Sequence, residues 1–271
     1  MTIAVTAARD AVAAAEDALR AAGCDTPRLD AELLIADAAG VPRERLHTDP
    51  GQPIEPPAAR RAAGLIRRRS LREPVAYLLG RRGFRRIELA VDSRVLVPRP
   101  ESELLVEVAL ELPQGAWIHD VGTGSGAVAL AIADERPDLR VTASDVSPAA
   151  VEVARANAER LGLQVELAHA RGLPPEAAGA DLVVANLPYV AEAEWERLAP
   201  EIVRWEPRDA LVSGADGLDA IRDLVAGAPP GTRLALEHAP GQAAAVRALM
   251  HGGSTRADLA GRERVTLGTA P

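Results

Sequence analysis

The alternation of strand-like and helix-like segments after residue 115 constrains the fold of this chain more than any other feature. Strand-like apolar runs read AWIHDVG, RVTASD, QVELAHA, DLVVA, RLALEHA and RVTLGT, and helical periodicity spans residues 125–134, 148–161, 218–226 and 242–250. Strands that alternate with helices form a mostly parallel sheet with helices on both faces. We therefore predict an α/β, doubly wound fold whose ligands bind beyond the carboxyl ends of the strands.

The first 80 residues have a different pattern, in which alanine, leucine and charged residues recur at helical spacing. Helices are predicted at residues 5–22, 29–39 and 58–69, separated by segments rich in proline and glycine. Residues 1–80 are thus expected to form a small helical domain. Ten arginines lie between Arg60 and Arg86, and such a run forms either a solvated helix face or a docking surface for an acidic partner.

A change of period to two marks residues 84–97, FRRIELAVDSRVLV, which we predict to be a β-hairpin with VDSR as its turn. The next segment, PRPESE at residues 98–103, ends in acids that favour the start of an apolar helix over residues 104–112. These patterns predict a hairpin linker at residues 81–100, between the helical domain and a larger domain at residues 101–271.

Composition excludes several functional classes. The formal net charge of −8 argues against a general nucleic-acid binder, because affinity for phosphates depends on neutralising them. All 31 basic residues are arginine, which excludes P-loop phosphate binding and Schiff-base chemistry by lysine. The single Cys24 has no cysteine or histidine at metal-ligand spacing, so we expect no metal site. No apolar run reaches membrane-spanning length, and we expect a cytoplasmic protein.

The segment DVGTGSG, Asp120 to Gly126, follows the first strand of the predicted sheet and opens a helix. Its alternate glycines let the backbone turn tightly and approach a ligand, to which free N–H groups at the helix start can donate. The next strand ends at Asp145, where nucleotide-binding sheets place an acid for ribose hydroxyls. The loop also satisfies the dinucleotide pattern G-x-G-x-x-A, so a pyrophosphate cofactor stays open. Asp120 and the lack of a basic residue in the loop favour S-adenosylmethionine.

The strand DLVVA runs into Asn186, Leu187, Pro188 and Tyr189, which continue strand pairing poorly but present polar atoms well. The Asn186 side-chain oxygen and the Leu187 carbonyl, which Pro188 holds in extended geometry, can accept hydrogen bonds from a planar NH₂ group. Tyr189 provides a flat wall for a planar substrate. We interpret this segment as a site where an amide or aromatic amine is methylated, although alone it fits a strand-ending turn equally well.

Six segments together resemble the peptide chain release factor N5-glutamine methyltransferases, a family of class I S-adenosylmethionine-dependent methyltransferases. They are VLVPRPESELLVE, DVGTGSG, VTASD, ANLPYV, RWEPRDALVSGADGL and RERVTLG. The resemblance runs from about residue 71 to the C-terminus, and the helical first domain agrees with the family's leading domain. It implies a seven-stranded methyltransferase sheet, release factors as protein substrates, and a docking role for residues 1–80.

The resemblance also assigns roles to individual residues. It places the cofactor against Asp120, Gly122, Thr123, Gly124, Ser125, Gly126, Asp145 and Asn186, and the glutamine amide against Asn186, Leu187, Pro188 and Tyr189. The family pattern is Asn-Pro-Pro-Tyr, so Leu187 is a departure, although its backbone carbonyl is retained. Ala170 and Arg171 stand where the family often has an acid and an aromatic, and Arg171 is expected either to stack on the adenine or to lie on the surface.

Two alternatives stay open at this level. Asn-Leu-Pro-Tyr also occurs in adenine-N6 methyltransferases of RNA, although those are typically basic proteins. A paralogue that binds cofactor or partner without turnover, or that modifies another glutamine-containing target, is the second alternative. We expect a monomer, because nothing in the sequence indicates a large apolar interface.

Overall fold

The computed structural model describes residues 6–271, and the chain divides into two compact units. One unit extends to Gly80 and also includes Ala199–Trp205, whereas the other comprises Arg81–Leu198 and Glu206–Pro271. The hairpin predicted as a linker at residues 81–100 therefore lies within the second unit, and Ala199–Trp205, predicted for the larger domain, lies within the first. Every helix among residues 6–271 is too short or too polar to cross a membrane.

The first unit is a helical bundle with one short strand pair. Its elements are β1 (Thr6–Ala7), α1 (Ala8–Ala21), α2 (Pro27–Ala39), α3 (Arg43–Thr48), β2 (Pro53–Ile54), α4 (Pro56–Ser70) and α5 (Val75–Leu79). Helices α1, α2 and α4 lie where helices were predicted, except that Thr6–Ala7 form β1 instead of the start of the first helix and Val5 is outside the described residues. Their apolar stripes meet in a core that includes Val12, Leu19 and Ile35. The helical spacing of alanine and leucine thus reports burial correctly.

Ion pairs of Arg69 and Arg72 attach Ala199–Trp205 to the first unit. Arg69 is buried, with its Nε 2.7 Å from Asp30 Oδ2 and its Nη1 2.8 Å from Glu201 Oε1. Arg72 donates to both oxygens of Glu201 at 2.7 Å. A buried guanidinium requires carboxylate partners, and Glu201 supplies one from a distant part of the sequence. The arginine run is therefore not a uniform solvated face, although Arg60 and Arg67 are exposed.

The remaining elements follow in chain order. They are β3 (Arg81–Phe84), β4 (Ile87–Ala90), α6 (Glu103–Leu110), β5 (Trp117–Val121), α7 (Ala127–Glu135), β6 (Arg140–Asp145), α8 (Pro148–Leu161), β7 (Glu166–His169), β8 (Leu182–Ala185), α9 (Pro200–Trp205), α10 (Asp219–Gly227), β9 (Arg233–Glu237), α11 (Ala243–Ala248), β10 (His251–Ala257) and β11 (Glu263–Thr269). All but α9 belong to the second unit. A 3₁₀ turn at Pro100–Ser102 precedes α6.

Seven strands form the central sheet of the second unit in the order β10-β11-β9-β8-β5-β6-β7. Strands β9, β8, β5, β6 and β7 are parallel, whereas β11 and β10 are antiparallel to their neighbours. The prediction of an α/β, doubly wound, mostly parallel seven-stranded sheet is confirmed. Strand β6 lies on one side of β5 and β8 lies on the other side, so the order of the strands in the sheet changes direction at β5. Ligands bind at such a switch point, beyond the carboxyl ends of the strands.

Strand β10 was not predicted from the run HGGSTRA. It lies at the edge of the sheet, contains two glycines, and leaves most of its side chains exposed or half-buried. An edge strand with one neighbour has no need of the apolar alternation that marks a half-buried strand. The seventh strand was therefore expected only from the family resemblance.

The prediction of VDSR as the hairpin turn is wrong. Strand β3 pairs with β4 in the register Phe84↔Ile87, which places the turn at Arg85 and Arg86. Arg85 has a φ of 52°, and its guanidinium donates to both oxygens of Glu135 at 2.8 and 2.9 Å. This contact offsets the cost of the left-handed backbone and was invisible to local pattern reading. VDSR forms a separate turn after β4, and the chain then reaches the 3₁₀ turn at Pro100–Ser102 without forming another strand.

Asn157 joins the hairpin to the glycine-rich segment within the second unit. Its side chain is fully buried on α8. Its Oδ1 accepts the Ala90 N–H at 2.7 Å, and its Nδ2 donates to the carbonyls of Ala90 and Ser125 at 3.0 and 2.9 Å. One amide therefore fixes the end of β4 and residue 125 of the segment that follows β5.

We expect Asn157→Ala to lower the free energy of unfolding by about 1–3 kcal/mol, because it leaves buried backbone groups without partners. Urea denaturation monitored by circular dichroism measures this loss. Arg155→Ala is the matched control, since Arg155 is exposed on the same helix and its removal should cost less than about 0.5 kcal/mol. Equal stability of the two variants would contradict the bridging role of Asn157.

Candidate active site

The pairing of β5 with β8 brings the two predicted site segments together. The strands are parallel with Val121 opposite Ala185, so Gly122 and Asn186 leave neighbouring strand ends. A Cβ built on Gly122 would lie 3.0 Å from Leu187 Cδ2 and 3.8 Å from the Asn186 carbonyl oxygen. The glycine loop (residues 122–126) and the Asn-Leu-Pro-Tyr segment (residues 186–189) therefore face each other at the switch point of the sheet.

The glycine loop is a tight turn anchored to the end of β6. Gly122, Gly124 and Gly126 have φ values of 76°, 57° and 85°, which side chains disfavour. The N–H groups of Gly122 and Thr123 both donate to the Ser144 carbonyl, at 2.9 and 3.0 Å. A Cβ on Gly124 would meet nothing within 4 Å, so this part of the loop faces open space. Such a loop can approach a ligand with its backbone alone.

Asp145 combines two roles at the end of β6. Its Oδ2 accepts the Gly124 N–H and its Oδ1 accepts the Ser147 N–H, both at 2.8 Å. These bonds fix the loop and the start of α8 relative to the strand. A carboxylate offers about four lone-pair sites, so two remain for ligand hydroxyls. The contact of Asp145 with a ribose stays a prediction, for which these two lone-pair sites are available.

Asp120 lies beneath the glycine loop rather than facing open space. It is 2% exposed, and its Oδ2 accepts the Thr123 hydroxyl at 2.7 Å. Burial raises the pKa of Asp120 to about 7, and the Thr123 hydroxyl opposes that rise. Thr123 and Ser125 are buried as well. These three predicted cofactor residues shape the loop through its backbone and internal hydrogen bonds.

The adenine side of the predicted site is formed by the segments after β6 and β7. Arg171 is exposed just beyond β7, next to Ala170, whose N–H donates to the Asp145 carbonyl at 3.0 Å. Val146 follows Asp145 and is 51% exposed, which is unusual for a large aliphatic residue beside a buried strand. An exposed aliphatic side chain at this position suits the face of a planar base. The sequence analysis did not single out Val146.

Four side chains form a hydrogen-bonded network behind the Asn-Leu-Pro-Tyr segment. Asn186 Nδ2 donates to Ser102 Oγ at 2.8 Å, and Ser102 Oγ donates to Glu237 Oε2 at 2.7 Å. The Tyr189 hydroxyl donates to Glu237 Oε1 at 3.3 Å. Ser102 comes from the 3₁₀ turn before α6, and Glu237 ends β9. Neither was predicted as a site residue, although Glu237 ends an apolar strand as Asp145 does.

The ionisation of this network is set by burial. Burial raises the pKa of Glu237, which is fully enclosed, to about 7. Burial, with the neighbouring Glu237, also raises the pKa of Tyr189 above its ordinary value, so the phenol stays protonated and donates its hydrogen. Tyr189 therefore remains a hydrogen-bond donor, whereas Glu237 changes its charge near pH 7.

The orientation of the network leaves two acceptors free. Within residues 6–271, no donor reaches Asn186 Oδ1 or the Leu187 carbonyl. Asn186, Leu187, Pro188 and Tyr189 are all half-buried, so they border the space next to the glycine loop. Two acceptors on adjacent residues at the carboxyl end of a strand can accept hydrogen bonds from both N–H groups of an NH₂ group.

The segment after α9 fixes the backbone beyond Tyr189. Gln242 Nε2 donates to the Tyr189 carbonyl at 2.9 Å, and Val190 pairs with Val212 as an isolated bridge. A Cβ on Gly217 would lie 2.2 Å from the Tyr189 carbonyl oxygen, so only glycine fits there. Val212 and Gly217 of the RWEPRDALVSGADGL segment, together with Gln242, therefore hold the backbone around Tyr189 in place.

Gly122→Ala and Gly115→Ala are a matched pair for testing the loop. Their φ values are 76° and 78°, so alanine costs roughly 1–2 kcal/mol of backbone strain at either position. Only at Gly122 would the new methyl meet Leu187, because a Cβ on Gly115 has nothing within 4 Å. We expect similar losses of stability, but about tenfold weaker S-adenosylmethionine binding for Gly122→Ala alone, measured by calorimetry. Equal affinities would remove the loop from the cofactor site.

The raised pKa of Asp120 predicts a pH-dependent effect on stability. The folded state binds the Asp120 proton more tightly than the unfolded state does. The protonated carboxyl therefore contributes stability below about pH 4, and this contribution is lost as the pH rises to about 7. Asp120→Asn should therefore gain stability relative to the parent as pH increases from 4 to 8. Urea unfolding across this range measures the difference, with Asp223→Asn, an exposed residue of α10, as control. A difference that does not change with pH would contradict the burial of an ionisable Asp120.

Comparison with known proteins identifies both parts of the chain. Residues 10–80 match the family described as PrmC N-terminal domain, and residues 118–206 match that described as Methyltransferase domain. The structure of the hMettl16 catalytic domain in complex with the MAT2A 3′UTR hairpin 6 covers 68% of this chain and 75% of its own, with a TM-score of 0.54. At 14% sequence identity this likeness shows the shared fold alone.

Two relatives extend over nearly the whole chain. The release factor glutamine methyltransferase of Xylella fastidiosa is 43% identical, covering 90% of this chain and 94% of that protein. The protein of the same description from Mycolicibacterium smegmatis is 42% identical, covering 98% of each. The resemblance inferred from the sequence motifs is confirmed, and this chain belongs to the release factor glutamine methyltransferase family.

Proposed function

We propose that this enzyme transfers a methyl group from S-adenosylmethionine to the side-chain amide nitrogen of the glutamine in the Gly-Gly-Gln loop of translation release factors. The observation that carries the proposal is the pair of free acceptors, Asn186 Oδ1 and the Leu187 carbonyl, beside the glycine loop. Relatives described as release factor glutamine methyltransferases support the substrate. Because release factors act on cytoplasmic ribosomes, we place the reaction in the cytoplasm.

Methylation of an amide nitrogen requires correct positioning of that nitrogen and does not require a strong base. An amide nitrogen is a weak nucleophile because its lone pair is delocalised into the carbonyl. Acceptors on both N–H groups draw the nitrogen towards tetrahedral geometry as positive charge develops on it. As the nitrogen–carbon bond formed, the methyl–sulfur bond would break and S-adenosylhomocysteine would leave as a neutral thioether. Both hydrogens of the nitrogen would stay hydrogen-bonded to Asn186 Oδ1 and the Leu187 carbonyl, and one of them would leave to water as a proton afterwards. Alignment of the nitrogen then supplies most of the rate enhancement.

The residues of the glycine loop fit the cofactor. S-adenosylmethionine supplies an electrophilic methyl group when it is bound. The glycine loop would receive its methionine end, since Gly124 faces open space and carries no side chain. Asp145 would accept hydrogen bonds from the ribose, and Val146 would cover one face of the adenine. Arg171 is exposed and is expected to contribute less to the adenine site.

The departure at Leu187 preserves the atom that the mechanism needs. The backbone carbonyl is common to leucine and to the proline that the family pattern has there. Pro188 still restricts the residue before it to extended geometry. The Leu187 side chain lies next to Gly122 of the glycine loop and takes no part in accepting the hydrogen bond, which is the role of the backbone carbonyl. We therefore propose that Leu187 leaves the substrate class unchanged.

The first unit is proposed to dock the release factor. Exposed Arg60, Arg61, Arg67 and Arg68 line a hollow of about 440 Å³ together with Leu65 and Leu78. Basic groups around a small apolar floor suit an acidic protein surface. We propose that the enzyme acts as a monomer. RNA is kept as the second candidate substrate only because adenine also presents a planar NH₂ group.

Transfer of radiolabelled methyl groups separates these substrates. We expect label on a purified release factor and none on the same factor with its loop glutamine changed to alanine, because the acceptors are built for an amide NH₂ group. Ribosomal RNA should stay unlabelled. Label on RNA, or on the factor that lacks the glutamine, would contradict the proposed function.

Asn186→Ala tests the acceptor role directly. We expect kcat to fall by about 10²-fold or more, because one acceptor for the developing charge is lost, while the Kd for S-adenosylmethionine changes by less than about threefold. Single-turnover kinetics and calorimetry measure the two effects. Leu187→Pro is the matched control, and we expect its kcat within about threefold of the parent, because the backbone carbonyl remains. Full activity of Asn186→Ala would remove Asn186 from the mechanism.

Charge reversal tests the docking surface. We expect Arg60→Glu with Arg67→Glu to raise the KM for the release factor by about tenfold without changing kcat, and salt should reduce the difference. Arg155→Glu with Arg233→Glu makes the same change in net charge at exposed positions of the second unit. Equal KM values for the two double variants would place docking elsewhere.

A further inference from the structure

The hydrogen bonds behind Asn186 run in one direction. Asn186 Nδ2 donates to Ser102 Oγ, the Ser102 hydroxyl donates to Glu237 Oε2, and the Tyr189 hydroxyl donates to Glu237 Oε1. An ionised carboxylate can only accept hydrogen bonds. The one proton of Ser102 is therefore committed to Glu237, and towards Asn186 the Ser102 oxygen acts as an acceptor.

This direction decides which atom of Asn186 faces the substrate. A half-turn of the amide would exchange Oδ1 and Nδ2, which are nearly equal in size. The flipped amide would place Oδ1 against the Ser102 oxygen with no proton between them. It would also turn two N–H donors towards a substrate NH₂ group that is itself a donor. Each mismatch forfeits a hydrogen bond, so the one-way network disfavours the flip.

We propose that Ser102 and Glu237 are positioning residues that hold the Asn186 amide with its oxygen towards the substrate nitrogen. The inference rests on the proposed function, because it takes an amide NH₂ group as the substrate. Ser102 is 4% exposed and Glu237 is fully buried, so both act through Asn186 and Tyr189 and not by touching the substrate. The network assigns a role to the serine of PRPESE and to the acid that ends β9.

The protonation of Glu237 controls the direction of the network. A protonated Glu237 would donate to Ser102 and free the Ser102 proton for Asn186 Oδ1, which permits the flipped amide. The charged groups that face Glu237 are Glu101 and Arg264, whose side chains lie 3.4 Å apart. Glu101 raises the pKa of Glu237, and Arg264 lowers it. Burial outweighs both and raises the pKa of Glu237 to about 7. The productive arrangement is thus populated above about pH 7 and lost below it.

Kinetics of Ser102 and Glu237 variants test the positioning role. We expect Ser102→Ala and Glu237→Gln each to lower kcat by about tenfold, with KM for both substrates within about twofold, because most of the unsupported amide is then turned or displaced from the productive orientation while the binding contacts remain. Ser102→Thr, which keeps the hydroxyl, should restore kcat to within about threefold. The acid limb of the kcat profile near pH 7 should vanish in Glu237→Gln. Exposed Ser254→Ala and Glu263→Gln, on neighbouring strands, are matched controls expected to retain the parent kcat.

The double variant Ser102→Ala with Glu237→Gln distinguishes one network from two independent contacts. Two residues that act in series through Asn186 should together lower kcat no further than about the larger single effect. Independent structural roles would instead multiply to about a hundredfold loss. Melting temperature and cofactor affinity of each variant show whether folding is retained, and Ser102→Thr supplies the answer if Ser102→Ala does not fold.

A spectroscopic measurement tests the same inference without a release factor. The chain has two asparagines, Asn157 and Asn186, so ¹⁵N labelling of asparagine side chains yields two NH₂ signal pairs that Asn186→Ala assigns. We expect the Asn186 pair to titrate near pH 7 in the parent and to lose this titration in Glu237→Gln. The Asn157 pair serves as internal reference.

The outcomes separate the two levels of the proposal. A parent enzyme that leaves release factors unlabelled while its Asn186 signals follow Glu237 would overturn the proposed substrate and keep the network. An active parent whose Ser102 and Glu237 variants retain kcat within twofold, or whose effects multiply, would overturn the positioning role. Asn186 signals that ignore both substitutions would overturn it as well.

Discussion

The parallel pairing of β5 with β8 at the centre of the sheet is the constraint on which the candidate site depends. It places Val121 opposite Ala185, and the chain leaves both strands at the same edge. The glycine loop and the Asn-Leu-Pro-Tyr segment therefore need no further element to bring them together. Strands β6 and β9 flank this pair and end in Asp145 and Glu237, so residues of the candidate site come from four adjacent strand ends.

Sequence patterns predicted the parts of the molecule whose signals are local. The apolar runs, the alternate glycines of the loop and the polar end of β8 were all readable, because each depends on residues within a few positions of one another. Ser102 and Glu237 were not found, because their roles depend on contacts across 84 and 135 residues. The hairpin turn was misplaced because the Arg85–Glu135 pair stabilises a left-handed backbone at Arg85.

Two buried carboxyls illustrate how one physical effect serves two purposes. Burial raises the pKa of both Asp120 and Glu237 to about 7. Asp120 accepts a hydrogen bond from Thr123 and thereby supports the shape of the glycine loop. Glu237 accepts hydrogen bonds from Ser102 and Tyr189, next to the proposed acceptor Asn186. Each carboxyl carries an energetic penalty for its charge, and hydrogen bonds to hydroxyl groups offset part of it.

The amide of Asn157 gives the second unit a property that goes beyond stability. Its bonds to Ala90 and to Ser125 connect segments 35 positions apart in the sequence through a third element, α8. Displacement of the Asn157 side chain would therefore release the end of β4 and Ser125 of the glycine loop together. The amide proton of Ala90 can exchange with solvent deuterium only when Asn157 releases it. Hydrogen exchange of this one backbone proton thus reports how often the contact between α8 and the end of β4 breaks.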